Sequence, residues 1–163
     1  MQKREKLLRA VYENETLAEG LWVASIFISL VSVYAAGYVL VESFSESYLL
    51  AIRLAVMLAV PFLLVSLVRA LVRAPRPYEV YPFYERKPHR ARGKSFPSRH
   101  AFSAFAIAVA MLAFDLSFGF LLLGLSAVLC VCRFLLGIHF IRDLVAGALI
   151  GVLSSALGLW ILL

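Results

Sequence analysis

Charged residues are scarce in this sequence. Asp, Glu, Lys and Arg make up only 16% of its 163 residues, whereas 63% are hydrophobic. A soluble domain carries about 25% charged residues. This shortage excludes an ordinary soluble domain and indicates an integral membrane protein. The polar segments are too short to fold by themselves, so we expect a single domain over residues 1–163.

Cysteine is also rare, with only Cys130 and Cys132 in the whole chain. On a helix, two residues separated by one position point in nearly opposite directions. A disulfide between these two cysteines is therefore excluded. We interpret both as small apolar packing residues, since free cysteine is usually buried.

Long apolar runs dominate the rest of the chain. About 20 apolar residues cross the roughly 30 Å hydrocarbon layer, and the first run has no convincing cleavage pattern of small residues, so we interpret it as a retained span. We predict an all-α integral membrane protein with five transmembrane helices in one bundle: 21–41, 48–72, 100–115, 118–136 and 144–163. The third run is short, so its first turn must lie near an interface or a polar cavity.

The connections and the last span add three smaller predictions. Residues 42–47 are predicted to form an acidic turn. Pro75 and Pro77 should end the second span, because the residue before a proline avoids the α conformation. In the last span, small residues at four-residue spacing should let a neighbouring helix approach closely: Gly147, Gly151 and Ser155.

The N-terminal segment, residues 1–20, mixes charge with apolar residues at helical spacing. Leu7, Leu8 and Val11 recur among lysines and arginines. This pattern predicts an amphipathic interfacial helix that lies in the headgroup layer. A solvated helical tail fits the same pattern equally well.

One polar connection is long, and it covers residues 74–99. It mixes basic residues, prolines and aromatics, and we interpret it as an active-site loop rather than a linker. His89 lies in this loop and is interpreted as a surface histidine.

Three polar clusters adjoin the spans on one side. If the spans alternate in direction, all three lie at the end of the bundle that carries the N-terminus. An ionisable side chain in hydrocarbon costs about 2.5–3.5 kcal/mol, so these groups should face one another, a cavity or an anion. The clusters are Arg69, Arg73 and Arg76; Ser98, Arg99 and His100; and Arg133, His139 and Asp143. We expect the three arginines of the first cluster to share one helix face. The histidine and the aspartate of the third cluster should also share a helix face.

The same residues carry a resemblance to a known family, the type 2 phosphatidic acid phosphatase superfamily. Residues 69–77 resemble its first signature, Lys followed after six residues by Arg-Pro. Residues 97–100 are similar to its Pro-Ser-Gly-His, and residues 132–143 to its Ser-Arg, five residues, His, three residues, Asp. All three signatures occur in the family's order.

Three positions depart from the family's pattern. Arg69 stands where the family usually has lysine, and it keeps the charge while adding a planar fork for phosphate oxygens. Arg99 replaces a glycine, so either the loop tolerates a side chain that points away or Arg99 adds a further cation. Cys132 replaces a serine and is a weaker hydrogen-bond donor.

The resemblance implies a mechanism and assigns roles to residues of this chain. His139 is the nucleophile that forms a phosphohistidine, and Asp143 orients it. His100 protonates the leaving oxygen and then activates water, for which an imidazole's ordinary pKa of about 6.5 is suited. No metal or cofactor is expected, because cations of the chain neutralise the phosphoryl oxygens. The phosphate-binding residues are then Arg69, Arg76, Ser98, Arg133 and Arg99.

The expected function is therefore a metal-independent phosphatase acting on a lipid phosphate in the bilayer. Candidates are phosphatidic acid, phosphatidylglycerophosphate and polyprenyl phosphates or diphosphates. A lipid phosphotransferase with the same intermediate, or a non-catalytic protein that binds anionic lipid, are the alternatives. We expect no nucleic acid as a partner, because the charge lies at a membrane surface, and the sequence leaves the oligomeric state open.

The distribution of basic residues predicts the orientation in the cell membrane. Of the 16 lysines and arginines, all except Arg53 lie on the face of the N-terminus and the predicted site. The positive-inside rule places that face in the cytoplasm. A cytoplasmic site fits a phospholipid or a polyprenyl monophosphate better than a carrier diphosphate recycled at the outer surface.

Overall fold

The computed structural model describes residues 2–81 and 93–162, and within these ranges all regular structure is α-helical. This confirms the all-α prediction for the described residues. His89 and much of the predicted active-site loop lie outside them. The helices are α1 (Gln2–Glu13), α2 (Glu15–Glu46), α3 (Tyr48–Val72), α4 (Pro77–Val80), α5 (Arg99–Met111), α6 (Leu116–Leu135) and α7 (Ile141–Leu162).

Four of these helices, α2, α3, α6 and α7, are long and apolar enough to cross a membrane. The chain is therefore a multi-pass membrane protein. The predicted third span is different, because α5 has only 13 residues and a length of about 20 Å at 1.5 Å per residue. It is too short to cross the hydrocarbon layer by itself.

The short helix α5 lies at the centre of the protein and contacts α2, α3, α6 and α7. Phe102, Ala108 and Met111 are almost completely buried. The first turn of α5 differs from the rest of the helix. Its cap Ser98 is fully buried, whereas Arg99 and His100 are exposed. These two ionisable groups therefore lie at the surface of the bundle.

Helices α5 and α7 approach each other closely along the predicted ridge of small residues. A Cβ atom added at Gly147 would lie 2.4 Å from the carbonyl oxygen of Ser98, and one added at Gly151 would lie 2.4 Å from that of Phe102. Ser155 Oγ donates a hydrogen bond to the carbonyl of Ala106 at 2.9 Å. The absence of side chains at Gly147 and Gly151 therefore lets α7 lie directly against the N-terminal half of α5.

The N-terminal boundary differs from the prediction. Residues 2–20 do not form one helix, because the first helix ends before Asn14, whose side chain accepts a hydrogen bond from the amide of Leu17 at 3.0 Å. An asparagine in this position caps a new helix, so residues 15–20 belong to the first span. Leu8 and Val11 are buried against the bundle, where α1 contacts α2 and α6. An interfacial location of α1 stays a prediction.

The predicted acidic turn at residues 42–47 is wrong. Helix α2 continues to Glu46, and only Ser47 separates it from α3. Residues 42–46 contain no glycine or proline, so nothing in them breaks a helix. Ser47 makes the turn by accepting a hydrogen bond from the amide of Leu49 at 3.2 Å.

Candidate active site

The three predicted polar clusters meet at one end of the bundle. Arg69, in the last turn of α3, donates a hydrogen bond from Nη1 to the carbonyl of Pro97 at 2.7 Å. The amide of Ser98 donates to the carbonyl of Asp143 at 2.9 Å. The end of α3 and the starts of α5 and α7 are thereby joined into one site.

The first cluster does not share a helix face as predicted. Helix α3 ends at Val72, and Arg73 adopts a left-handed conformation with φ of 48°. Its side chain is exposed, so Arg73 does not join the site. Arg76 returns to the site through the turn before α4, where it is buried and donates from Nη2 to the carbonyl of Lys94 at 3.3 Å.

Ser98 is the N-cap of α5 and is fully buried. Its Oγ lies 3.4 Å from the amide of Ala101 and accepts a hydrogen bond from it. Its own amide is occupied by the carbonyl of Asp143. The hydroxyl proton is therefore the group through which Ser98 can reach a phosphate.

His139 and Asp143 lie close together but not on a shared helix face. His139 belongs to the turn that precedes α7, and Asp143 is the third residue of that helix. Asp143 Oδ2 accepts a hydrogen bond from the amide of Phe140 at 3.0 Å, which caps the start of α7. His139 Nδ1 lies 3.8 Å from Oδ2, beyond the range of a direct hydrogen bond.

Ser95 is a site residue that the sequence did not reveal. It is fully buried, and its Oγ lies 2.5 Å from Asp143 Oδ2 and 3.3 Å from His139 Nδ1. A serine in a polar loop has no spacing or periodicity that distinguishes it from its neighbours. Only the folded loop brings this hydroxyl between the histidine and the aspartate.

Buried positive charge surrounds His139. Arg69, Arg76 and Arg133 are 5%, 9% and 8% exposed. Arg76 and Arg133 repel each other electrostatically, as do Arg69 and Arg76. The Nε atoms of Arg76 and Arg133 are buried without a hydrogen-bond partner. Because unpaired buried cations are costly, this arrangement is suited to an anion that bonds to several arginines at once.

The two histidines differ in exposure, because His139 is buried and His100 is exposed. His100 lies near enough to Arg133, His139 and Arg99 for their charges to act on it. Burial lowers the pKa of His139 below its ordinary value, and Arg76 and Arg69 lower it further, against the opposing effect of Asp143. His139 is therefore neutral at neutral pH, with a free electron pair on one ring nitrogen.

An apolar cavity of about 300 Å³ opens beside His100. It extends along α5 for about two helical turns, or about 10 Å, from the first turn to Ile107. The guanidinium of Arg99 lies over the ring of Phe62, 5.8 Å from its centroid, at the polar end of the cavity. The other lining residues include apolar or small side chains, and Val33 among them is exposed: Ser32, Val33, Ala104, Ile107 and Leu129.

No group of three His, Cys, Asp or Glu side chains that could hold a metal ion occurs within residues 2–81 and 93–162. Cys130 and Cys132 are both free, and Cys132 is buried next to Arg133 in the sequence. The polar groups of the site are thus mainly cationic donors with two imidazoles and one carboxylate.

The chain is similar to known proteins in sequence and in fold. The model of the PAP2 superfamily matches residues 50–163. Over 66 residues, or 40% of this chain, the sequence is 38% identical to the bacitracin transport permease protein BcrC of Bacillus licheniformis, and the match spans only 32% of that protein's length. The fold is similar to a crystal structure of a transmembrane PAP2-type phosphatidylglycerolphosphate phosphatase from Bacillus subtilis. The TM-score is 0.70, with 16% identity, 98% of this chain covered and 84% of the other.

Proposed function

Because this chain belongs to the PAP2 superfamily of membrane lipid phosphatases, we propose that it hydrolyses a lipid phosphate without a metal, through a phosphohistidine on His139. The observation that carries this proposal is the set of buried arginines around a buried, neutral imidazole. Unpaired Nε atoms on Arg76 and Arg133 leave donors for the oxygens of a phosphoryl group. A site that only docked lipid headgroups would need these cations but neither histidine.

Arginines perform the electrostatic part of the reaction. Phosphoryl transfer depends mainly on positioning and on neutralising the charge of the equatorial oxygens. Arg76 and Arg133 donate to these oxygens, and Ser98 adds its hydroxyl. Arg69 donates from Nη1 to the carbonyls of Ser95 and Pro97, and it adds positive charge to the site.

The covalent steps follow from the positions of the two histidines. Nδ1 of His139 faces Ser95 and Asp143, so Nε2 attacks phosphorus. As the N–P bond forms, the bond from phosphorus to the leaving oxygen breaks, and that oxygen takes a proton from His100. Water then attacks the phosphohistidine while His100 accepts its proton. Inorganic phosphate is released, and both imidazoles return to their starting state.

The substrate class is a phosphate ester or anhydride with an aliphatic chain. The cavity is lined by His100, which would protonate the leaving group, and the rest of its lining is mostly apolar or small. At about 300 Å³ it is at the small end of ligand pockets, so it accommodates one chain segment. Phosphatidic acid, phosphatidylglycerophosphate and polyprenyl phosphates or diphosphates all present such a chain next to phosphate.

Purified protein in detergent is expected to release phosphate from at least one lipid of this panel in the presence of excess EDTA. The arginines already neutralise the phosphoryl charge, so chelation should change the rate less than twofold. Colorimetric phosphate release, with His139→Ala as the control for contaminating phosphatases, measures the effect. Activity that disappears with EDTA and returns with a divalent ion would contradict the metal-free mechanism. Hydrolysis of a soluble phosphate ester as fast as every lipid would contradict the lipid substrate.

Arg99 is expected to favour substrates whose leaving group is itself anionic. Arg99 lines the cavity together with His100 and Phe62, where the leaving phosphate of a lipid diphosphate would lie. Arg99→Gln should lower kcat/KM for a polyprenyl diphosphate about tenfold more than for the matched monophosphate, since a charge-assisted hydrogen bond is worth about 1.5–3 kcal/mol. Equal losses for the two substrates would show that Arg99 does not contact the leaving group. Arg53→Gln, at the other end of the bundle, is the matched control.

We propose that the site faces the cytoplasm, since the lysines and arginines of residues 2–81 and 93–162, except Arg53, lie on helices and turns at its end of the bundle, as the positive-inside rule expects of a cytoplasmic face. In a background without native cysteines, Ser45→Cys should react with an impermeant thiol reagent outside intact cells. Glu13→Cys should react only after the membrane is opened. Glu13 lies just before the start of α2 and Ser45 lies near its end, and both side chains are exposed. External labelling at position 13 alone would reverse the orientation.

A further inference from the structure

We propose that Ser95 is a positioning residue, which transmits the hydrogen bond of Asp143 to Nδ1 of His139 and thereby selects the reactive tautomer. This inference rests on the proposed function, because it concerns the histidine that would carry the phosphoryl group. It assigns a role to a residue outside the three signatures of the family resemblance.

The distances exclude a direct hydrogen bond between the aspartate and the imidazole. His139 Nδ1 and Asp143 Oδ2 are 3.8 Å apart, whereas a good hydrogen bond is about 2.7–3.2 Å. Ser95 Oγ lies between them, 2.5 Å from Oδ2 and 3.3 Å from Nδ1. Oδ2 also accepts from the amide of Phe140, so the carboxylate is held in place on a second side.

A hydroxyl has a single proton, and this fixes the direction of the chain of hydrogen bonds. The carboxylate of Asp143 can only accept, so the Ser95 proton points to it. Ser95 Oγ can then only accept from the imidazole, which requires the proton of His139 to be on Nδ1. The electron pair of the ring is left on Nε2, the nitrogen that attacks phosphorus.

The backbone of Ser95 is fixed from two directions. Its amide donates to the carbonyl of Ala74 at 3.0 Å, and its carbonyl accepts from Arg69 Nη1 at 3.4 Å. Ser95 is also fully buried, so water does not compete for its hydroxyl. The residue thus couples the position of a phosphate-binding arginine to the orientation of the nucleophile, as supporting residues around a reactive group do.

The same hydrogen bonds act after phosphorylation. Once Nε2 carries the phosphoryl group, the imidazole is positively charged and keeps its proton on Nδ1. The Ser95 oxygen, polarised by the negative carboxylate, accepts from this proton and stabilises the cation. No proton has to leave Nδ1 in either step.

The test compares side chains that differ in the hydroxyl group. Ser95→Ala and Ser95→Val should lower kcat for a lipid phosphate about 10–100-fold, as the loss of an outer-shell partner does, with KM changed much less. Ser95→Thr, which matches valine in shape but keeps the hydroxyl, should retain most of the activity. Ser126→Ala removes another buried serine hydroxyl, one that donates to the carbonyl of Leu122 within α6, and should leave kcat unchanged.

A spectroscopic measurement tests the tautomer directly and without turnover. In protein labelled with ¹⁵N-histidine, the His139 resonances, assigned by their loss in His139→Asn, should show protonated Nδ1 and unprotonated Nε2. In Ser95→Ala the signals should shift towards a mixture of tautomers. A wild-type imidazole protonated on Nε2 would overturn the inference, as would full activity of both Ser95→Ala and Ser95→Val.

The outcomes separate this inference from the function on which it rests. If wild-type protein forms no phosphohistidine and releases no phosphate, the proposed function fails, whatever the tautomer is. If wild-type protein is active and the serine variants are too, only the role of Ser95 fails. Threonine and valine are larger than serine and could prevent folding, which would show as more than one species in size-exclusion chromatography. In that case Ser95→Ala and the tautomer measurement still test the role of Ser95.

Discussion

His139→Ala is expected to abolish phosphate release. The expected loss in kcat is about 10⁴–10⁶-fold, the range seen when one residue of a catalytic triad is removed. His139 is buried, and the charges of Arg76 and Arg69 act on it. His100 lines the apolar cavity instead, so we do not expect it to take over the attack.

Loss of the nucleophile should also remove the covalent intermediate. Brief incubation of wild-type protein with ³²P-labelled lipid phosphate, followed by alkaline denaturation, should leave label on the protein, since phosphohistidine is stable to base and labile to acid. His139→Ala and His139→Asn should both be unlabelled. Asparagine fills more of the buried space than alanine, so it controls for a collapsed site. Residual turnover within tenfold of wild type in either folded variant would contradict the role of His139.

His100→Gln is expected to stop hydrolysis of lipid phosphates but to spare attack on a phosphate with a good leaving group. General acid catalysis contributes about 10²–10⁴-fold, and an aliphatic alcohol needs the proton when it leaves. A nitrophenolate ion is stable enough to leave without being protonated. With p-nitrophenyl phosphate the variant should therefore still phosphorylate His139 and release nitrophenol in a single burst.

The second half of the reaction should then stall, because no base remains to activate water. Label on His139 should accumulate in His100→Gln to a higher level than in wild-type protein, which turns it over. A burst equal to the amount of enzyme, followed by slow release of phosphate, is the expected time course. Equal losses for the lipid and the nitrophenyl ester, with no accumulated label, would show that His100 only shapes the site. Ser126→Ala again serves as the control.

The placement of the charged residues could be predicted because membrane physics leaves few options. Arg133 and Asp143 adjoin apolar runs, and in such positions they must face other polar groups or an anion. Alternation of the spans then brings their ends together with the start of α5. The prediction needed only the spacing of polar residues in an apolar sequence, and it placed Arg69, Arg76 and Arg133 at the end of the bundle where the structure has them.

Helix ends inside the polar connections were harder to predict. Arg73 was expected beside Arg69 and Arg76, but α3 ends at Val72 and the left-handed turn at Arg73 sends its side chain outwards. His139 and Asp143 were expected to share a helix face, but His139 lies in the turn before α7. In both cases the deciding interactions are capping and turn contacts, which involve single residues and have no periodicity in the sequence.

By itself, the sequence determined that this protein is an α-helical membrane protein with a basic, histidine-containing site at one end, because hydrophobicity and charge act on every residue independently of the fold. Only the tertiary structure decided that Ser95 lies between Asp143 and His139, and that the cavity opens beside His100. These features depend on distances of a few ångströms between segments as far apart as residues 32, 95 and 143. Such distances are set by close packing, as where Gly147 and Gly151 let α7 lie against α5, and not by the pattern of any one segment.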